Sequence, residues 1–334
     1  MAKDYSPFTP GVPVPIEFFV GREEELQKIA GSAERAVRLR TIERVFVIGE
    51  RGIGKSSLCS MALKGIEHDF KFLGVYTFLG GVTTLEEMTR RVFNRLLQSS
   101  IDKPWYEKVT QYLGNHIKQV GLFGTTVEFR TTDKELSRAV SDFAPALREL
   151  VKKLAHERAG IALVLDDLNG LASSERFANW LKSVVDELAT SAEGIPMILI
   201  LVGLPERRQQ LIEKQPSLDR VFEPVHIQKF SKRETENFYS NAFGRVNISI
   251  DDAALSWLWQ FSGGFPVFMH ELGDAVLNID VDNHIDMNDA VDGSLRGARI
   301  IGDKYVEPKV LAVIHSDKYK TILRKIAETP LEHR

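Results

Sequence analysis

Residues Gly49-Glu50-Arg51-Gly52-Ile53-Gly54-Lys55-Ser56 read as a glycine, four residues, then Gly-Lys-Ser. Glycines at these places let successive backbone N–H groups turn inward around phosphate oxygens, and a helix that follows presents its positive end to them. In such a loop Lys55 reaches the β- and γ-phosphates and the Ser56 hydroxyl serves Mg²⁺. The bare pattern arises by chance in about 1 % of chains this long, so the flanks must carry the decision. They do. Val45-Phe-Val-Ile48 is a short β-branched run that stops at Gly49, and Leu58, Met61, Ala62 and Ile66 recur at helical spacing behind Lys55. Strand, glycine loop and helix in this order predict a nucleotide held by Gly49 to Ser56 together with Ser57.

Outward from the loop the same alternation continues. Val75-Tyr-Thr-Phe-Leu79 predicts a strand, followed by a helix capped near Thr83 or Thr84. Ile161-Ala-Leu-Val-Leu165 and Met197-Ile-Leu-Ile-Leu-Val202 are apolar throughout, and a helical pattern (Phe177, Trp180, Leu181, Val184) lies between them. Val225-His-Ile227 predicts one more strand. Unbroken apolar strands alternating with amphipathic helices predict an α/β fold, a three-layer parallel sheet covered on both faces. Residues 100–134 fit no periodic template and read as an insertion, with a turn at Gly121-Leu-Phe-Gly124 and a short strand or hairpin after it. Its basic and aromatic residues (Trp105, Tyr106, Lys108, His116, Lys118, Arg130) suit the core better than stacked bases.

After Ser231 strands are expected to stop. Helical patterns at 232–242, 252–261, 267–279 and within 303–328 predict an all-α second domain, with Trp257, Trp259 and Phe261 packed inside it. The domain expectations are an extended N-terminal arm at 1–17, carrying Pro7, Pro10, Pro13 and Pro15, a phosphate-loop α/β core at 18–230 and helices at 231–334.

Asp166 and Asp167 end the third apolar strand. Carboxylates at a parallel strand's C-terminal tip lie on the edge where such sheets bind ligands. Asp166 is expected to hold Mg²⁺, and Asp167 to orient the water that attacks the γ-phosphate. An aspartate is one methylene shorter than the usual glutamate, which predicts slow turnover.

The 334 residues carry 43 Lys and Arg against 46 Asp and Glu, a formal charge of −3. That balance does not announce a nucleic-acid protein, although Arg35, Arg38, Arg40 and Arg44 form a local basic cluster that reads as a solvated helix face. One cysteine, Cys59, cannot form an internal disulfide and is expected to be a packed core residue. Eight histidines show no metal-ligand spacing, so no zinc is expected. With no apolar run of about 18 residues, the chain is expected to be soluble and cytoplasmic, away from membranes.

With these sites placed, the chain resembles the AAA+ superfamily, in the branch shared by STAND ATPases and origin-recognition-type replication initiators, over about residues 17–328. Phe19-Val20-Gly21-Arg22 resembles that branch's entry motif, which implies adenine contacts from Phe19 and Val20. Leu201-Val-Gly-Leu-Pro205-Glu206 and Ser217-Leu-Asp-Arg220 resemble the sensor-1 and arginine-finger regions. Gly263-Gly-Phe-Pro266 resembles the STAND glycine–proline motif, which implies that Pro266 packs by the base. Two departures stand out: Val202-Gly203-Leu204 offers no sensor-1 side-chain donor, and no arginine follows the glycine–proline region. The resemblance implies ATP or ADP with Mg²⁺ as ligands and a catalytic set of Lys55, Asp166, Asp167 and Arg220, the last acting on a neighbouring subunit's γ-phosphate. It implies a homo-oligomeric, ATP-hydrolysing switch for a partner, with any effector a separate chain and prokaryotic antiviral defence one setting. Two other readings stay open: a DNA-binding ATPase of the initiator or transposition-regulator kind, and a nucleotide-dependent structural or sensing module with little hydrolysis.

Overall fold

The structure, a computed structural model, describes residues 5–15, 18–101, 103–113, 117–120, 126–129, 132–190, 192–311 and 316–328. It divides into two compact units, one of Pro15–Gln228 and one in which the residues up to Val14 join Lys229–Arg334.

The first unit opens with α1 (Glu23–Leu39), β1 (Ile42–Ile48), α2 (Lys55–Asp69), β2 (Phe72–Phe78) and α3 (Leu85–Ser100). Thr84 caps α3, its hydroxyl accepting from the Glu87 N–H. The segment at 100–134 supplies α4 (Tyr106–Leu113) and an antiparallel pair, β3 (Ile117–Val120) with β4 (Thr126–Phe129). The turn expected at 121–124, with His116 and Arg130, lies outside the described residues. Trp105 is buried under the Arg158 guanidinium, 4.0 Å from the ring centre, so this aromatic serves the core. Then follow α5 (Asp133–Ser141), α6 (Phe143–Leu154), β5 (Gly160–Asp166), α7 (Glu175–Ala189), β6 (Met197–Gly203), α8 (Pro205–Lys214), α9 (Leu218–Val221) and β7 (Glu223–His226).

Five strands form one parallel sheet in the order β2-β5-β6-β1-β7. Every residue of β5 and β6 is buried, which is what an unbroken apolar strand in the middle of a covered sheet requires. Helices α1 and α2 pack on one face, α3, α6 and α7 on the other. The register places Phe78, Asp166 and Val202 side by side, and Ile48 beside Gly203 and His226. All five strands therefore end at one edge.

The second unit holds α10 (Lys232–Gly244), β8 (Ser249–Ile250), α11 (Asp252–Ser262), α12 (Pro266–Leu277), β9 (His284–Ile285), α13 (Met287–Ile301), a π-helical stretch (Gly302–Leu311) and α14 (Asp317–Glu328). Strands do not stop after Ser231: β8 and β9 pair in parallel over two residues each, too short for any periodicity. Phe261 is also not packed inside. It is 37 % exposed, stacked on Trp257, while Trp259 is half-buried beneath the Lys232 ammonium.

Residues 5–14 are fastened onto these helices. Phe8 is 3 % exposed among Phe238, Tyr239, Phe243 and His270. A side chain at Gly273 would overlap the Phe8 ring, since its Cβ would fall 2.3 Å from Cε1. Ser6 Oγ donates to Asp274 at 2.6 Å, and the Thr9 N–H donates to His270 Nδ1 at 3.1 Å.

Candidate functional site

The glycine loop leaves β1 at the sheet's C-terminal edge. Gly52 and Gly54 have φ of 78° and 93°, the left-handed region that glycine enters without a Cβ penalty. Gly54 is the residue before α2, and no side chain caps that helix. Its first-turn N–H groups are the donors every helix start leaves open, here at the positive end of the dipole.

Lys55 folds back over the loop. Its Nζ donates to the Gly49 carbonyl at 2.8 Å and the Glu50 carbonyl at 2.7 Å. Burial lowers its pKa, against the opposing pull of Asp166, Glu50 and Asp167. This ammonium is held by two neutral acceptors and has no ion pair among the described residues, which prepares it for an anion.

Asp166 ends β5 and is 3 % exposed. Ser56 Oγ donates to its Oδ2 at 2.6 Å and the Tyr76 hydroxyl to the same oxygen at 2.5 Å. Ser56, in the first turn of the helix after β1, and Asp166, at the end of β5, thus meet across the end of β6, the strand between β1 and β5. Their oxygens form a hard donor set of the kind Mg²⁺ takes.

Asp167 follows with φ 62° and ψ 64°, a left-handed turn rare for a non-glycine residue. Its carboxylate accepts from Asn169, whose own Oδ1 accepts from Arg207 Nε at 3.2 Å. Arg207 stands in the first turn of α8, the helix after β6.

Arg22 is the other residue whose place the sequence did not disclose. It is 5 % exposed, and its Nη1 donates to the Gln228 carbonyl at 2.6 Å while Nη2 donates to the Ile53 carbonyl at 3.3 Å. One guanidinium thereby ties the start of α1 to the glycine loop and to the chain leaving β7. The entry motif signalled this position, but nothing in its spacing names these carbonyls.

The remaining candidates scatter. Phe19 and Val20 are half-buried ahead of α1, and Glu50 and Arg51 are exposed on the loop. Gly49 and Ile53 are buried, as is Ser57 on the first turn of α2. Arg220 lies exposed on α9, with no ion pair or hydrogen bond from its side chain among the described residues, while its neighbour Asp219 pairs with Arg208. Pro266 is the first residue of α12 in the helical unit. Cys59 is fully buried and its pKa is raised by that burial, as a packed thiol's is.

Residues 19–200, more than half the chain, match a family model described as the AAA ATPase domain. Nothing among curated protein sequences matches. Among solved structures, the Walker-type ATPase PABY2304 of Pyrococcus abyssi superposes with a TM-score of 0.56 at 17 % identity, covering 91 % of this chain and 77 % of that one. The ORC2 protein of Aeropyrum pernix, seen in ADPNP–ADP complexes, gives 0.58 at 13 % identity over 88 % and 70 %. The ORC1 protein of the same organism, in complex with DNA, gives 0.51 at 13 % over 85 % and 66 %. At these identities the likeness establishes the fold.

Proposed function

The chain belongs to the AAA ATPase family, and from that premise we propose that it binds ATP with Mg²⁺ at the edge built by Lys55, Ser56 and Asp166 and hydrolyses it slowly, as an oligomerising switch that controls a partner. The observation that carries this reading is the convergence of a desolvated ammonium and a serine–aspartate pair on one glycine loop.

Each residue has a definite task. Lys55 exchanges the Gly49 and Glu50 carbonyls for phosphate oxygens, and the first-turn N–H groups of α2 surround the same anion. Ser56 and Asp166 hold the cation, which when bound neutralises charge on the β- and γ-phosphates. Asp167 orients the attacking water. Its Oδ1 accepts from Asn169, and its other oxygen is available to a water. The short reach of an aspartate, one methylene less than a glutamate, favours slow turnover, and in the limit a sensing module that binds ATP and rarely cleaves it. Phe19 and Val20 are the proposed contacts of the base.

Arg220 supports dependence on assembly. An exposed guanidinium with its donors uncommitted is available to a neighbour's γ-phosphate, where such a group adds transition-state stabilisation. A DNA-binding role draws less support, because Arg35 in the basic cluster is already paired with Glu43 and Glu223 at 3.1 and 2.9 Å.

The test is phosphate release and binding of a fluorescent ATP analogue, with size measured in ADP and in a non-hydrolysable analogue. Lys55→Ala should weaken Mg·ATP binding about 100-fold, the loss expected for a charged group left out of a phosphate cradle. Asp167→Asn should keep binding and remove hydrolysis. Arg220→Ala should bind normally and lose only the turnover that rises with protein concentration. Wild-type protein without Mg²⁺-dependent nucleotide affinity would overturn the reading.

A further inference from the structure

Tyr76 belongs to no motif read from the sequence, and it sits mid-strand on β2, beside Val164 of β5 in the register. Its hydroxyl nevertheless reaches the Asp166 Oδ2 at 2.5 Å, the oxygen that Ser56 also engages at 2.6 Å. Two donors on one oxygen leave Oδ1 of Asp166 without a hydrogen-bond partner among the described residues.

The terminal torsion of an aspartate is broad and roughly two-fold, so a carboxylate has no strong orientation of its own. Here Ser56 cannot supply that orientation alone. A hydroxyl that also gives a lone pair to a cation moves with the cation and its phosphates. Tyr76 is anchored mid-strand on β2, an edge strand of the sheet, and has no such second duty. A phenol, with an ordinary pKa of about 10, is a hydrogen-bond donor at neutral pH.

Resting on the nucleotide-site reading above, we propose that Tyr76 is a positioning residue that fixes the plane of the Asp166 carboxylate, so that a divalent cation meets a preset ligand. Partners behind a metal ligand change metal affinity about 10- to 100-fold when removed. The effect is confined to the cation: among the described residues Tyr76 has no hydrogen bond to Lys55 or to the backbone of residues 49–54, so nucleotide affinity without metal is independent of it.

Tyr76→Phe keeps the ring and deletes only the hydroxyl. Fluorescent ADP binding to the full chain is titrated in EDTA and over a range of free Mg²⁺. The variant should need about tenfold more Mg²⁺ for half-maximal tightening, with an unchanged EDTA affinity. An unchanged Mg²⁺ midpoint overturns the proposal, and so does an equal loss with and without metal, which would mark a purely structural tyrosine. Wild-type protein that binds no nucleotide in Mg²⁺ instead refutes the site itself, a separate and distinguishable result. Should Tyr76→Phe fail to fold, ultraviolet resonance Raman difference spectra of wild type and Asp166→Asn answer the same question. One strongly donating tyrosine hydroxyl should weaken in the variant, and its absence from the difference overturns the assignment.

Discussion

The two units of this chain bury polar groups to opposite ends. In the α/β unit the half-buried ammonium of Lys55 is held by backbone carbonyls, and the buried Asp166 by two hydroxyls. These are neutral partners of charged groups, and charge completes them. In the helical unit the corresponding groups are satisfied by the chain itself. Glu271, 3 % exposed, accepts from Lys304 and Tyr305, and His270, 5 % exposed, accepts from Thr9. Unfinished electrostatics marks a place for a ligand, and closed electrostatics marks a joint.

The contrast can be broken most sharply at the joint. Phe8→Ala empties an aromatic cluster and should cost the helical unit about 4 kcal/mol, in the range for buried phenylalanine. Denaturation followed by Trp257 and Trp259 emission checks it, and a loss under 1 kcal/mol would mean that residues 5–14 are a passive tail. Acid comes next. Burial lowers the pKa of His270 to about 4 from 6.5, so the unfolded chain takes up a proton above the pH at which the folded one does. Stability is then full above pH 6.5 and falls as pH drops toward 4, by about 3 kcal/mol for one such group. His270→Gln, which keeps an acceptor for Thr9, should flatten that part of the pH–stability curve; an unaltered curve would refute the assignment. The smallest effect belongs to the α/β unit. Arg22→Ala leaves the Ile53 and Gln228 carbonyls without their charged donor, a loss of about 2 kcal/mol. Because one of those carbonyls is in the glycine loop, nucleotide affinity should fall with it, and an affinity that stayed at wild-type level would separate Arg22 from the site.

The sequence exposed the parts of this molecule in which local chemistry and global role coincide. A glycine loop between a strand and a helix has one use, and all-apolar runs such as Met197–Gly203 have one place in a covered sheet. Where partners are far apart along the chain, nothing was legible. Tyr76 and Asp166 are separated by 90 residues, and a tyrosine among Val75, Thr77 and Phe78 reads as ordinary sheet. Four prolines predicted an extended arm, but gave no sign of the turn at 9–12 or of a socket for Phe8. Helix α13 escaped because Gly293 and Gly297 lower helix propensity. The structure explains them: Cβ atoms there would fall 2.4 Å from Val276 and 2.9 Å from Leu272, so glycine lets α13 lie close against α12.

The route of the backbone has a bearing on biosynthesis. Residues 5–14 are made before the α/β unit, yet their docking surface includes Phe238, Tyr239, Phe243 and His270, which leave the ribosome only after all of Pro15–Gln228. During translation the α/β unit can complete itself while Phe8 waits exposed for helices not yet synthesised. Folding of the helical unit is therefore the later, non-local event, and the nascent chain carries an unburied aromatic ring until that closure is made.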